Sequence, residues 1–165
     1  LTLAKTDNPE ALTLEPVDLA GMAREVGSSL RSAAAAKGVQ LTVESPEEVP
    51  VRGEPGLLRQ LVANLTENAI KFTDTGGVKI CVSRENGCAR LVVSDSGRGI
   101  PPEALPHIFE RFYRADPARS RSVEGTGLGL AVVSNIVRAH GGAVDVSSEL
   151  DRGTTFAIRF PAQAN

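Results

Sequence analysis

The sequence contains no apolar stretch approaching the ~20 residues that a membrane-spanning helix needs, and no secretory signal pattern opens it. An excess of one charge is also missing. Lys and Arg number 18 against 20 Asp and Glu, for a formal net charge of −2. That balance speaks against a nucleic-acid partner, because counterion release needs clustered basic residues. Cysteine is scarce: Cys81 and Cys88 come with neither a CxxC pair nor a metal-spaced histidine set, which excludes the common redox and zinc motifs. The two flank Arg84-Glu-Asn-Gly87, read as a four-residue hairpin loop that makes them diagonal neighbours and a disulfide awkward. Both are expected as free thiols in a reducing compartment. No Gly-Lys-Ser/Thr is present, so there is no P-loop, and no internal repeat is evident.

What is there suits one globular domain. The 165 residues are 41% apolar and 23% charged, an ordinary balance for a folded chain of this length. A chain this long buries about 70% of its unfolded surface, so it requires no metal or disulfide staple. Leu1 in place of Met suggests a piece of something longer. Leu12-Thr-Leu14 alternates like a short strand that Pro16 ends, and Asp18 is placed to cap a helix running to a stop at Gly38. A strand over Val39–Glu44 and a brief one over Val51–Gly53 precede a strong helix from Pro55 to about Phe72. Strands Val78–Ser83 and Ala89–Ser94 form a hairpin around Asn86-Gly87. From Asp95 to Gly129 the chain is irregular, apart from a short helix near His107–Phe109. A helix from Leu128 to His140, stopped by Gly141-Gly142, and strands Ala143–Ser148 and Thr154–Phe160 complete the order. Antiparallel neighbours with helices between them predict an α+β two-layer sandwich, a mixed sheet covered by helices on one face.

Three stretches carry chemistry. On the helix after Pro55, Leu58, Leu61, Leu65, Ala69 and Phe72 form one stripe, with Asn64, Asn68 and Lys71 beside it and Glu67 adjacent. Asparagine costs up to about 0.7 kcal/mol against Ala inside a helix, so two on one strip suggest a task. Amide oxygens suit a hard cation such as Mg²⁺, and Lys71 can reach a phosphate. A solvated helix face is the plain alternative. The second stretch, Asp95-Ser-Gly-Arg-Gly-Ile-Pro101, lies at the carboxyl end of an apolar strand, where sheets present ligand groups. There Asp95 can accept from an exocyclic amine, while Gly97 and Gly99 let the backbone come close; a strand-closing turn is the alternative. The third, Gly125-Thr-Gly-Leu-Gly-Leu130, opens a helix whose exposed amides favour a phosphate, unless it is only a glycine-rich hinge. Arg111, Arg114, Arg119 and Arg121 crowd the long loop between the last two, as a cationic lid or a solvated loop.

In this order and spacing the stretches resemble the catalytic ATP-binding domain of bacterial sensor histidine kinases, within the gyrase–chaperone–histidine kinase–mismatch-repair ATPase superfamily. The resemblance runs from about Leu12 to Pro161. Asn64-Leu-Thr-Glu-Asn68-Ala-Ile-Lys71-Phe-Thr is similar to the N box, Asp95 to Pro101 to the first glycine box, and Ile108-Phe-Glu-Arg-Phe-Tyr-Arg114 to the F box. Gly125 to Leu130 is similar to the second glycine box and Gly153-Thr-Thr-Phe156 to the last. The resemblance implies a Bergerat-type fold, a five-stranded mixed sheet on three helices. It implies ATP and Mg²⁺ as ligands, with Asn68 and Asn64 on the metal and Lys71 and Arg114 on the β- and γ-phosphates. Asp95, with Thr154 supporting it through water, would take the adenine amine, and Tyr113 would pack near the base or ribose. Gly97, Gly99 and Ile100 would line the site, and Gly125, Thr126, Gly127, Leu128, Gly129 and Leu130 would fold over the triphosphate.

By the same resemblance, residues 1–11 end an upstream dimerisation helix or linker, 12–161 form the catalytic domain, and 162–165 are a tail. The acceptor histidine would stand on a separate dimerisation domain of the same parent, with a response regulator downstream. The fragment would be a monomer and the parent a homodimer, a cell-membrane sensor with this domain in the cytoplasm. Neither His107, before Ile-Phe, nor His140, before Gly-Gly, has an acceptor's surroundings. Two alternatives remain: an ATP-hydrolysing clamp or serine-kinase relative, which Asn64 disfavours by standing where hydrolysing relatives carry Glu, and a non-catalytic nucleotide sensor.

Overall fold

The structure, a computed structural model, describes residues 12–45, 48–111 and 129–161. The expected upstream segment 1–11 and tail 162–165 lie outside them. Along the described chain run β1 (Glu15–Asp18), α1 (Leu19–Ala36), β2 (Val39–Glu44), β3 (Pro50–Gly53) and α2 (Pro55–Lys71). There follow β4 (Gly76–Glu85), β5 (Cys88–Asp95), a 3₁₀ turn (Leu105–His107), α3 (Gly129–Ala139), β6 (Ala143–Glu149) and β7 (Gly153–Phe160). Five strands form one sheet in the order β2-β4-β5-β7-β6. Only the β2–β4 pair is parallel, so the sheet is mixed as expected.

Alternation along the strands sets the core face. Val78, Ile80 and Val82 of β4, Leu91 and Val93 of β5, and Phe156, Ile158 and Phe160 of β7 are all buried. The three helices cover that face, with α2 between α1 and α3 and over β4 and β5. Leu58, Leu61 and Leu65 of α2 are fully enclosed; side chains of this kind stabilise by roughly 1.5–3 kcal/mol each when buried. Helix α2 starts where it does because Pro55 fits its first turn and Glu54 caps it, Oε2 accepting from the Leu57 amide at 2.7 Å.

Several local expectations are corrected. The first strand is not Leu12–Leu14 ended by Pro16; it is β1, and it contains Pro16. A two-stranded ribbon with β3 leaves an edge free, so a residue without an N–H is tolerated there. Asp18 stands at the N-cap position of α1 but does not cap it, because its Oδ1 accepts from the Val49 amide at 3.0 Å. The hairpin turn is two residues rather than four, with Asn86 (φ 53°) and Gly87 (φ 80°) both left-handed. Cys81 therefore pairs with Val92 and Cys88 with Glu85, well apart, and both are free thiols. The short helix expected near His107–Phe109 is the 3₁₀ turn at Leu105–His107.

His140 follows α3 and locks it to the start of α2. Its Nδ1 donates to the Ile136 carbonyl at 2.7 Å, so Nε2 is the acceptor for the Glu54 amide at 3.1 Å. The ring packs edge-on to Phe160, with centroids 6.2 Å apart. His140→Phe keeps the ring and loses both bonds, orphaning the Glu54 N–H at a cost of about 1–3 kcal/mol. Urea denaturation of the variant should read a loss of that size, and an unchanged midpoint would contradict the assignment.

Candidate functional site

Strand register brings three polar side chains into one row. Asp95 of β5 pairs with Thr154 of β7, which pairs with Ser148 of β6. All three keep the parity of the core face, at the end of the sheet where β5 finishes. Asp95 Oδ1 accepts from the Gly97 amide at 2.9 Å and from the Thr154 amide at 3.3 Å. Both amides bind the same oxygen, Oδ1. Burial pushes the Asp95 carboxyl above the usual carboxylate range, and the two amide bonds pull partly the other way. The half-buried carboxylate thus has donors built around it.

The loop after Asp95 is clamped at both ends. On one side the Arg98 amide donates to the Phe72 carbonyl at 3.2 Å, just past α2. The Arg98 guanidinium lies over the Phe72 ring, 5.6 Å from its centroid, and pairs with Asp74 at 3.3 Å. On the other side the Ile100 amide donates to Ser148 Oγ at 2.7 Å, and the Asp151 amide to the Arg98 carbonyl at 2.9 Å. Gly97 and Gly99 do let backbone come close, but the backbone is the protein's own. A Cβ on Gly97 would meet the Phe72 carbonyl oxygen at 2.4 Å, and one on Gly99 (φ +74°) the Glu149 carbonyl oxygen at 2.3 Å. Gly153 closes the contact from β7, where a Cβ would fall 1.9 Å from the Asp95 carbonyl oxygen.

Asn64, Asn68 and Lys71 lie on one strip of α2, each half-buried, with Glu67 exposed beside them. Asn64 Nδ2 donates to the Gly129 carbonyl at 3.5 Å, which ties α2 to the first residue of α3 through the amide nitrogen and not the oxygen. A Cβ at Gly129 would meet nothing within 4 Å, while Leu130 packs against the core. Among the described residues no group of three His, Cys, Asp or Glu could hold a metal. Two neutral amide oxygens suit a Mg²⁺ that keeps waters and phosphate oxygens as its other ligands, rather than a resident ion in a protein cage. The carboxyl end of α2 is closed by Lys37, the C-cap residue of α1, whose Nζ donates to the Ile70 and Lys71 carbonyls at 2.8 and 2.5 Å. Desolvation there holds the Lys37 ammonium below the usual lysine range.

Of the stretch similar to the F box, Ile108 is buried and Phe109 packs edge-on to Phe156, with centroids 6.3 Å apart. Tyr113, Arg114, Arg119, Arg121, Gly125, Thr126, Gly127 and Leu128 lie outside the described residues. Ser148 was not among the residues singled out from the sequence. Strand parity could have found it, since it shares the inward side of β6 with Val144 and Val146 and faces Thr154 across the turn.

Residues 53–164 match the family described as histidine kinase-, DNA gyrase B-, and HSP90-like ATPase. The sensor histidine kinase CusS of Escherichia coli strain K12 is 39% identical over 98% of this chain and 34% of its own length. The sensor protein IrlS of Burkholderia pseudomallei is also 39% identical, over 99% of this chain and 35% of its own. Among solved structures, full-length ShkA in complex with AMPPNP has a TM-score of 0.85 at 36% identity, covering 99% of this chain and 34% of that one. The mycobacterial sensor histidine kinase MprB has a TM-score of 0.78 at 31% identity, covering 93% of this chain and 100% of that one. The chain spans about a third of the length of the curated relatives it matches.

A raised native pKa means that Asp95 costs stability once ionised. Its neutral form stabilises fully below the ordinary carboxylate range, and that contribution is lost as pH rises through the raised value. Asp95→Asn keeps an acceptor oxygen for both amides and removes the buried charge. Calorimetry at pH 7 should find the variant melting higher, with the gain shrinking as pH falls through the Asp95 titration. A variant melting lower at every pH would contradict this.

Proposed function

Because the chain belongs to the histidine kinase-, DNA gyrase B- and HSP90-like ATPase family and forms an ATP-binding catalytic domain of the histidine kinase kind, we propose that it transfers the γ-phosphoryl group of ATP to a histidine on a separate dimerisation domain of its parent. The observation that carries this reading is Asp95, held through Oδ1 at the carboxyl end of β5. A carboxylate there accepts from the exocyclic amine of adenine. The AMPPNP bound to ShkA, a relative of the same fold, supports a nucleotide in this one.

The phosphates extend from that row toward α2 and the start of α3. Asn68, assisted by Asn64, would hold the Mg²⁺ that comes with the nucleotide, and the ion would supply positive charge to the phosphoryl group. Lys71 and Arg114 meet the β- and γ-phosphates, and Tyr113 packs near the base or ribose. Gly125, Thr126, Gly127 and Leu128, with Gly129 and Leu130, close over the triphosphate, where the amino end of α3 adds its dipole. Catalysis is then positioning and charge stabilisation, and a neutral imidazole nitrogen needs no base from this chain. Asn64 has no base chemistry of its own, in keeping with transfer to histidine rather than steady hydrolysis. Both nitrogens of His140 are engaged, which supports an acceptor other than this histidine.

The rest of the parent supplies the acceptor hairpin, the dimer and the sensor, and passes the phosphoryl group to a response regulator. Among the described residues no helix is long and apolar enough to cross a membrane; the membrane anchor of a cell-surface sensor would stand outside this domain, which faces the cytoplasm.

The test is to incubate the chain with γ-labelled ATP, Mg²⁺ and a histidine-bearing hairpin from a relative. Label should move to the hairpin; steady release of phosphate without it would overturn the reading in favour of an ATPase. Asn68→Ala should cut AMPPNP affinity about tenfold or more in Mg²⁺ and little without it, the worth of a contact to a charged group. Calorimetric titration in the two conditions checks this, and equal loss in both would remove Asn68 from the metal.

A further inference from the structure

Ser148 Oγ is the meeting point of three hydrogen bonds. The Ile100 amide lies 2.7 Å away, the Gly153 carbonyl 3.0 Å, and Thr154 Oγ1 2.8 Å. A hydroxyl has one proton to give and two lone pairs to offer. The Gly153 carbonyl can only accept, so the Ser148 proton goes there. The Ile100 amide can only donate, so it takes one lone pair. The remaining lone pair faces Thr154 Oγ1, and this fixes the third bond: Thr154 donates to Ser148, not the reverse. Ser148 is saturated, and the Thr154 proton is committed away from Asp95.

We propose that Ser148 is a specificity-determining positioning residue, which fixes the Thr154 hydroxyl as an acceptor so that the site takes an adenine and rejects a guanine base. The proposal rests on the reading of Asp95 and Thr154 as the base-binding end of an ATP site. Asp95 is an acceptor when ionised, and Thr154, beside it in register, is made a second one. An adenine edge brings the N6 amine, a donor, to this pair. A guanine brings the O6 carbonyl to the same place, and two acceptors then face a third with no proton between them. Leaving such a group unpaired in a buried site is what gives hydrogen-bonding pockets their discrimination. Ser148 touches no base in this scheme; it acts through Thr154, and through the Ile100 amide it also steadies the loop after Asp95.

These two effects separate experimentally. Loosening the loop weakens both nucleotides alike, whereas freeing the Thr154 proton lets it turn toward O6 and changes their ratio. The measurement is calorimetric titration of the chain with Mg²⁺ and either AMPPNP or its guanine counterpart GMPPNP, for wild type, Ser148→Ala and Ser148→Thr. Wild type should prefer AMPPNP. Ser148→Ala should shrink that preference about tenfold, the worth of one hydrogen bond, and Ser148→Thr, which keeps a hydroxyl, should restore it. In a Thr154→Val background, Ser148→Ala should leave the ratio unmoved, because there is no Thr154 proton to free. Should Ser148→Ala fail to fold, Ser148→Cys replaces it, since a thiol is a poor acceptor and releases the same proton. An unchanged ratio in the Ala or Cys variant, or an equal shift in Ser148→Thr, overturns the proposal. A wild type that binds AMPPNP without preference also overturns it and leaves an ATP site standing. A wild type that binds neither analogue overturns the ATP reading and the proposal together.

Discussion

A carboxylate taken out of water must be given donors or it will bind a proton instead, and the ligand end of this fold is arranged around that constraint at Asp95. Two backbone amides converge on one of its oxygens, from Gly97 two residues on and from Thr154 on the neighbouring strand. Neither would be in reach without close backbone packing. The approach of β7 requires Gly153, which has no Cβ to strike the Asp95 carbonyl, and the turn after Asp95 requires Gly97 and Gly99 to pass Phe72 and Glu149. The glycines of this stretch therefore serve the carboxylate first, by letting the amides that hold it come close.

The same packing joins the site to the core. The loop after Asp95 is pinned between the end of α2 and the β6–β7 turn, and α2 is itself the central helix, seated on the sheet by Leu58, Leu61 and Leu65. At one end α2 is capped by Glu54 and braced by His140, and at the other it is closed by the Lys37 ammonium. The strip of Asn64, Asn68 and Lys71 is thereby held on a rigid element, at a fixed place relative to the Asp95 row. A site built so that its side chains hardly need to move is suited to chemistry that consists mainly of positioning.

Much of this was legible in the sequence because it depends on local pattern. The leucine stripe of α2, the alternation of β4, β5 and β7, and the order of glycine-containing stretches each left a periodic or spaced signal. What was not legible depends on partners distant in the chain. Asp18 looks like a helix cap, but the Val49 amide, 31 residues on, competes for its carboxylate. Pro16 looks like a strand terminator until β3 pairs beside it and leaves the proline at an edge. Ser148 is one of two adjacent serines, and only the register with Thr154 distinguishes it from Ser147. Asn86-Gly87 is legible as turn residues, but the loop reads as four residues and is two, and that length sets Cys81 and Cys88 far apart rather than diagonal.

The most direct test of the account is a crystal structure of this chain grown with AMPPNP and Mg²⁺. The account predicts the adenine N6 amine within hydrogen-bond reach of Asp95 Oδ2, about 2.7–3.2 Å, with Oδ1 still on the Gly97 and Thr154 amides. A base seated away from the Asp95–Thr154–Ser148 row, or an Asp95 carboxylate turned off its two amides, would contradict it.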